Sequence, residues 1–153
     1  MPFGFIAKRL FLLYNYNIKN DKTKGNDEMS FIRYNPNPTG MRRGDCTVRA
    51  LAKALGKDWD HVFSGLALYG FMLGDMPSAN HVWNAYLKAN GFHRALIPDT
   101  CPDCYTVKDF CTDHPNGVYV LAIDGHVVTA IDGDYYDTWD SGDEIPVYYW
   151  TKE

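Results

Sequence analysis

"GVYVLAIDGHVVTAIDGDYYDTWDSGDEIPVYYW", residues 117–150, carries the plainest β pattern in the chain. Asp124-Gly125 and Asp132-Gly133 each separate runs rich in β-branched and aromatic residues, the strongest short-range signal for a hairpin. Four antiparallel strands are expected, over 117–123, 126–131, 134–140 and 146–150, forming a meander. The last of them ends in the aromatic run "VYYW", an edge that another chain can pair with unless the domain covers it.

Upstream the period changes from two to 3.6. In "GDCTVRALAKAL", residues 44–55, Val48, Leu51, Ala52 and Leu55 follow the i, i+3, i+4, i+7 pattern of an amphipathic helix. Asp45 stands in its capping position and Gly56 ends it. A second helix is expected over 60–69 (Val62, Phe63, Leu66) and a third over 79–90 (Val82, Trp83, Tyr86, Leu87). Thr106 and Asp109 have the spacing of a capping box for a short helix that stops before Pro115. A strand "FIRY" precedes the first helix, and His93 opens another. Helices first and strands last make the fold α+β, with N-terminal helices packed on a C-terminal antiparallel meander.

Residues 1–28 end in a polar tract rich in Asn and Lys, with no apolar period. They read as a disordered or mis-annotated extension, with Met29 as the candidate start of a domain over 29–153. The net charge of −4 supplies no electrostatic footprint for nucleic acid or an anionic membrane, and no apolar stretch approaches a membrane span. Four cysteines, three of them clustered, do not form an evenly spaced disulfide framework, so a reducing cytoplasm is expected. The oligomeric state is not set by any of these features.

Cys46 lies about 190° around the first helix from the centre of its apolar stripe. The helix dipole and unpaired N–H groups at that end favour a thiolate, which makes Cys46 a candidate nucleophile; the competing reading is a small residue packed in the core. Among five histidines, His126 is singled out because it opens a strand directly after an Asp-Gly turn. A two-residue turn at 132–133 pairs Ile131 with Asp134 and places Asp137 diagonally from His126 on the same face, within side-chain reach. Asp137 is therefore the first choice to orient the imidazole. Asp140 is the reserve, should a bulge shift the register.

A cysteine at the N-terminus of a helix, a histidine opening a strand and a polar residue on the next strand resemble the papain superfamily. The "DTW" of residues 137–139 is similar to its Asn-Ser-Trp, where the tryptophan shields the histidine pair. "GDCTVRALA" with "GHVVTAIDGDYYDTWDS" more closely resembles a set of small phage and prophage proteins, over most of 30–150. The resemblance implies a papain-like fold and a thiol hydrolase, peptidase or amidase, acting on a peptide or acyl-amide substrate in the cytoplasm of a bacterial host. Cys46 would be its nucleophile, His126 its base and Asp137 the orienting group. An inactive papain-like module that binds a host or phage protein is the alternative. Papain-like proteases take an oxyanion donor from a Gln, and here Gly40 stands at that spacing. The backbone N–H of Cys46 is one candidate donor, and Asn37 or Asn35 a second.

Arg42, Arg43 and Arg49 lie near Cys46 in sequence and either lower its pKa, bind an acidic group of the substrate or are simply solvated. Cys101, Cys104, Cys111 and His114 have the number and type of ligands for a structural zinc. Against that, Cys111 shares a helical face with Val107 and Phe110, so a core role is preferred and no cofactor is expected.

Overall fold

The computed structural model describes residues 29–152, and the extension over 1–28 lies outside them. Ten elements follow in order: β1 (Phe31–Arg33), α1 (Cys46–Leu55), α2 (Trp59–Leu73), α3 (Asn80–Ala89), β2 (His93–Leu96), α4 (Val107–Asp113), β3 (Val118–Ile123), β4 (His126–Ile131), β5 (Asp134–Asp137) and β6 (Pro146–Thr151). The architecture is α+β, with four helices and one mixed six-stranded sheet ordered β1-β5-β4-β3-β6-β2 among the described residues.

The two Asp-Gly hairpins join β3 to β4 and β4 to β5, with Ile131 opposite Asp134. The meander stops there. β6 crosses back to pair with β3 rather than β5, and β2 adds on its far side, so the aromatic strand is interior and not an edge. The third strand of the expected meander is also shorter than 134–140. β5 ends at Asp137, where Thr138 N–H turns to the carboxylate of the preceding residue instead of a neighbouring strand.

At the opposite edge β1 runs parallel to β5, tied by Tyr135 N–H to Ser30 C=O (3.1 Å) and Tyr34 N–H to Asp137 C=O (2.7 Å). This pairing launches the loop that leads to α1 from beside Asp137.

Alternation along the strands sends side chains to two cores. Val120, Ala122, Val127, Tyr148 and Trp150 pack against Leu51, Leu66, Trp83 and Leu87 of α1–α3. Leu121, Val128, Ala130 and Tyr135 pack on the other face against Val107, Phe110 and Cys111 of α4. A hydrogen bond from Thr129 Oγ1 to Ala50 C=O (2.6 Å) fixes α1 across β4.

The helix ends show what local pattern can and cannot set. Gly56 closes α1 at φ +61°, and the Thr106–Asp109 capping box starts α4. α2 runs past its expected end at residue 69 to Leu73, where Gly74 closes it at φ +72°; Gly70 leaves room for the returning chain, since a Cβ there would sit 2.6 Å from Asp75 C=O. Asp45 precedes α1 but makes no side-chain cap.

Candidate active site

Cys46, the first residue of α1, and His126, the first residue of β4, line one cleft of about 700 Å³. Its walls include Gly44, Thr47, Asn80, Trp83, Asp124 and Tyr148. The third group comes from the end of β5: Asp137 Oδ2 lies 2.5 Å from His126 Nε2. With that nitrogen committed to the carboxylate, Nδ1 is the ring position left for the thiol.

Asp137 is held on every side. Oδ2 also accepts from Ser141 Oγ (2.8 Å), while Oδ1 accepts from the Thr138 N–H (2.7 Å) and faces Arg49 Nη2 at 3.5 Å. A buried carboxylate needs such partners to remain ionised. Burial opposes the charge here, yet the His126 hydrogen bond and charge, with Ser141 and Thr138, keep Asp137 below its usual range.

Burial also disfavours protonation of His126, but the hydrogen bonds and charges of Asp137 and Cys46 overcome this and push it up to about 9. For Cys46, desolvation again opposes ionisation. The hydrogen bond and charge of His126, the Val127 backbone and the charge of Arg49 outweigh it, leaving the thiol below its ordinary value. All three shifts therefore favour thiolate and imidazolium together. The Trp139 ring sits 5.3 Å from the imidazole at a 41° tilt, covering the pair.

The other expected residues are placed elsewhere. Asp140 accepts from Tyr135 Oη and from the Gly142 N–H, away from His126. Asn37 donates to Asp45 Oδ2 (2.8 Å) and accepts from Thr39, while Asn35 reaches Gly40 and Met41 C=O. Both amides knit their own loop together, and neither lines the cleft. The amide side chain that does line it is Asn80, whose Oδ1 accepts from Trp83 Nε1. Its place at a helix start gave no sequence signal.

Arg42 and Arg43 are exposed, but Arg49 is buried. It pairs with Asp45, whose carboxylate also takes Trp59 Nε1 (2.8 Å). The i, i+4 spacing of Asp45 and Arg49 was the available signal for that contact. Ser141, within "DTWDS", was likewise visible but carried no distinguishing pattern.

Of the zinc candidates, Cys101 and Cys104 bring their sulfurs to 3.0 Å in the loop before α4. Cys111 is instead buried in the core, and the His114 ring stacks on Phe110 at 3.9 Å. Among the described residues no group of three or more His, Cys, Asp or Glu side chains is placed to hold a metal ion. Nor, among them, is any helix long and apolar enough to cross a membrane.

Compared with protein-family models, curated proteins and solved structures, the chain matches none.

Proposed function

We propose that this chain is a papain-like thiol hydrolase, a peptidase or amidase of phage or prophage type, working in the cytoplasm of a bacterial host. The observation that carries the reading is the 2.5 Å contact between His126 Nε2 and Asp137 in a cleft shared with Cys46.

His126 takes the thiol proton at Nδ1, while Asp137 fixes the ring and stabilises the imidazolium. The thiolate adds to the acyl carbon of a peptide or related amide. Negative charge on the tetrahedral oxygen is met by the Cys46 N–H at the start of α1, where backbone donors are unpaired. Collapse expels the amine, which His126 protonates. Water, activated by the neutral imidazole, then hydrolyses the thioester and restores the thiol.

The alternative, a binding module without turnover that engages a host or phage protein, draws support from one feature. The loop amides of Asn35 and Asn37 are turned into their own loop, so the cleft receives no side-chain oxyanion donor from the segment before Cys46.

p-Nitrophenyl acetate separates the two. A hydrolase gains one acetyl group on Cys46, seen by peptide mass spectrometry, and then releases it with continuing nitrophenol production. An acetyl group that is never released supports the binding module, and acetylation spread evenly over the exposed cysteines removes the nucleophile reading.

A further inference from the structure

We propose that Arg49 is a positioning residue of this site: its buried guanidinium joins the carboxylates of Asp45 and Asp137, holding the triad to the turn that presents Cys46 and placing positive charge beneath the thiolate. The inference rests on the thiol-hydrolase reading and deepens it.

Arg49 is only 5% exposed, on the inward side of α1. A guanidinium in such a place is costly unless it is paired, and here both of its ends are used. Nη1 meets Asp45 and the Arg43 C=O (3.2 Å), and Nη2 faces Asp137 Oδ1 at 3.5 Å. Nε is the one buried side-chain polar atom among the described residues without a partner. A role confined to stability gives no reason for keeping an incompletely satisfied cation where an apolar side chain would fill the space.

Its two partners lead to the two halves of the site. Asp45 adjoins the nucleophile and is itself pinned by Asn37 from the β1–α1 loop and by Trp59 from α2. Asp137 holds His126. The planar fork of arginine can span two carboxylates, whereas lysine presents a single point charge.

The charge balance also gives the bridge a sign. Cys46 feels His126 from β4 and Arg49 from its own helix; Asp45 and Asp137 flank that guanidinium, and Asp124 of the β3–β4 turn stands at the cleft wall. Without Arg49 the surroundings gain one uncompensated negative charge, which opposes a thiolate. Without the charge of Asp45 they lose one, which favours it. A merely structural defect does not move the thiol in opposite directions for these two changes.

The experiment is a pH titration of the ultraviolet thiolate absorbance of the full chain, with the Cys46→Ala protein subtracted so that only Cys46 is read. Wild type, Arg49→Met, Arg49→Lys and Asp45→Asn are compared. Relative to wild type, Arg49→Met is expected to raise the midpoint by about one pH unit, roughly tenfold less thiolate on the acid side. Asp45→Asn is expected to lower it. Arg49→Lys keeps the midpoint near wild type but slows acetylation of Cys46, because the charge remains and the two-ended tie is lost.

Should Arg49→Met fail to fold, judged by loss of Cys111 protection from alkylation, the opposite behaviour of Asp45→Asn and the split in Arg49→Lys carry the test. A depressed wild-type midpoint that neither Arg49→Met nor Asp45→Asn moves overturns the role of Arg49 alone. A wild-type midpoint at that of an ordinary thiol overturns the thiol-hydrolase reading and, with it, the residue's role.

Discussion

Cys46, His126 and Asp137 belong to three elements that are distant in sequence, and each favours the ionised form of the next. His126 and Asp137 also leave a signature in stability that is separable from chemistry. Against its burial, Asp137 and Cys46 together raise the pKa of His126, so its contribution is fully present below its ordinary 6.5 and is lost as pH rises through about 9. The pKa of Asp137 is depressed, so its contribution is present above its ordinary 3.8 and is lost as pH falls through its folded value. Urea unfolding of wild type and His126→Ala across this range is expected to differ most between those two ordinary values. Asp137→Asn is expected to slow Cys46 alkylation near neutral pH by at least about tenfold, whereas Asp140→Asn leaves it unchanged because Asp140 serves Tyr135. Alkylation rates with peptide mapping check both. The register of one hairpin made the His126–Asp137 pair legible in the sequence. Arg49 was legible only as a nearby charge, since its burial between two carboxylates depends on how α1 lies across the sheet.

At the scale of elements, the signals that read correctly are those satisfied within a few residues. The Thr106–Asp109 box is reciprocal, with Thr106 Oγ1 accepting from the Asp109 N–H and Asp109 accepting from the Thr106 N–H. Thr106→Ala should therefore cost about 1 kcal/mol, measured by denaturant unfolding. Leu51, fully buried between α1 and the sheet, should cost about 2–5 kcal/mol on truncation to Ala. What local pattern did not reveal is long-range. The parallel pairing of β1 with β5 and the return of β6 to β3 depend on chain reversals whose partners lie far apart, and the alternation within each strand is the same whichever neighbour it takes. Asp45 shows the same limit at a helix end: a good capping residue by type, it is drawn away by Asn37, Trp59 and Arg49.

Over the whole molecule, the described residues form one six-stranded sheet with a core on each face, and β1 at one edge delivers the nucleophile loop to the end of β5. That arrangement gathers a thiol and an imidazole at one cleft with a carboxylate behind the imidazole, surroundings that favour a thiolate–imidazolium pair. The most direct measurement is the rate of Cys46 alkylation by iodoacetamide against pH, with peptide mass spectrometry, in wild type and His126→Ala. Rapid, Cys46-selective labelling that persists well below the pH of an ordinary thiol and is lost without His126 is the predicted result. Labelling of Cys46 that is slow and follows the same pH curve with or without His126 would contradict it.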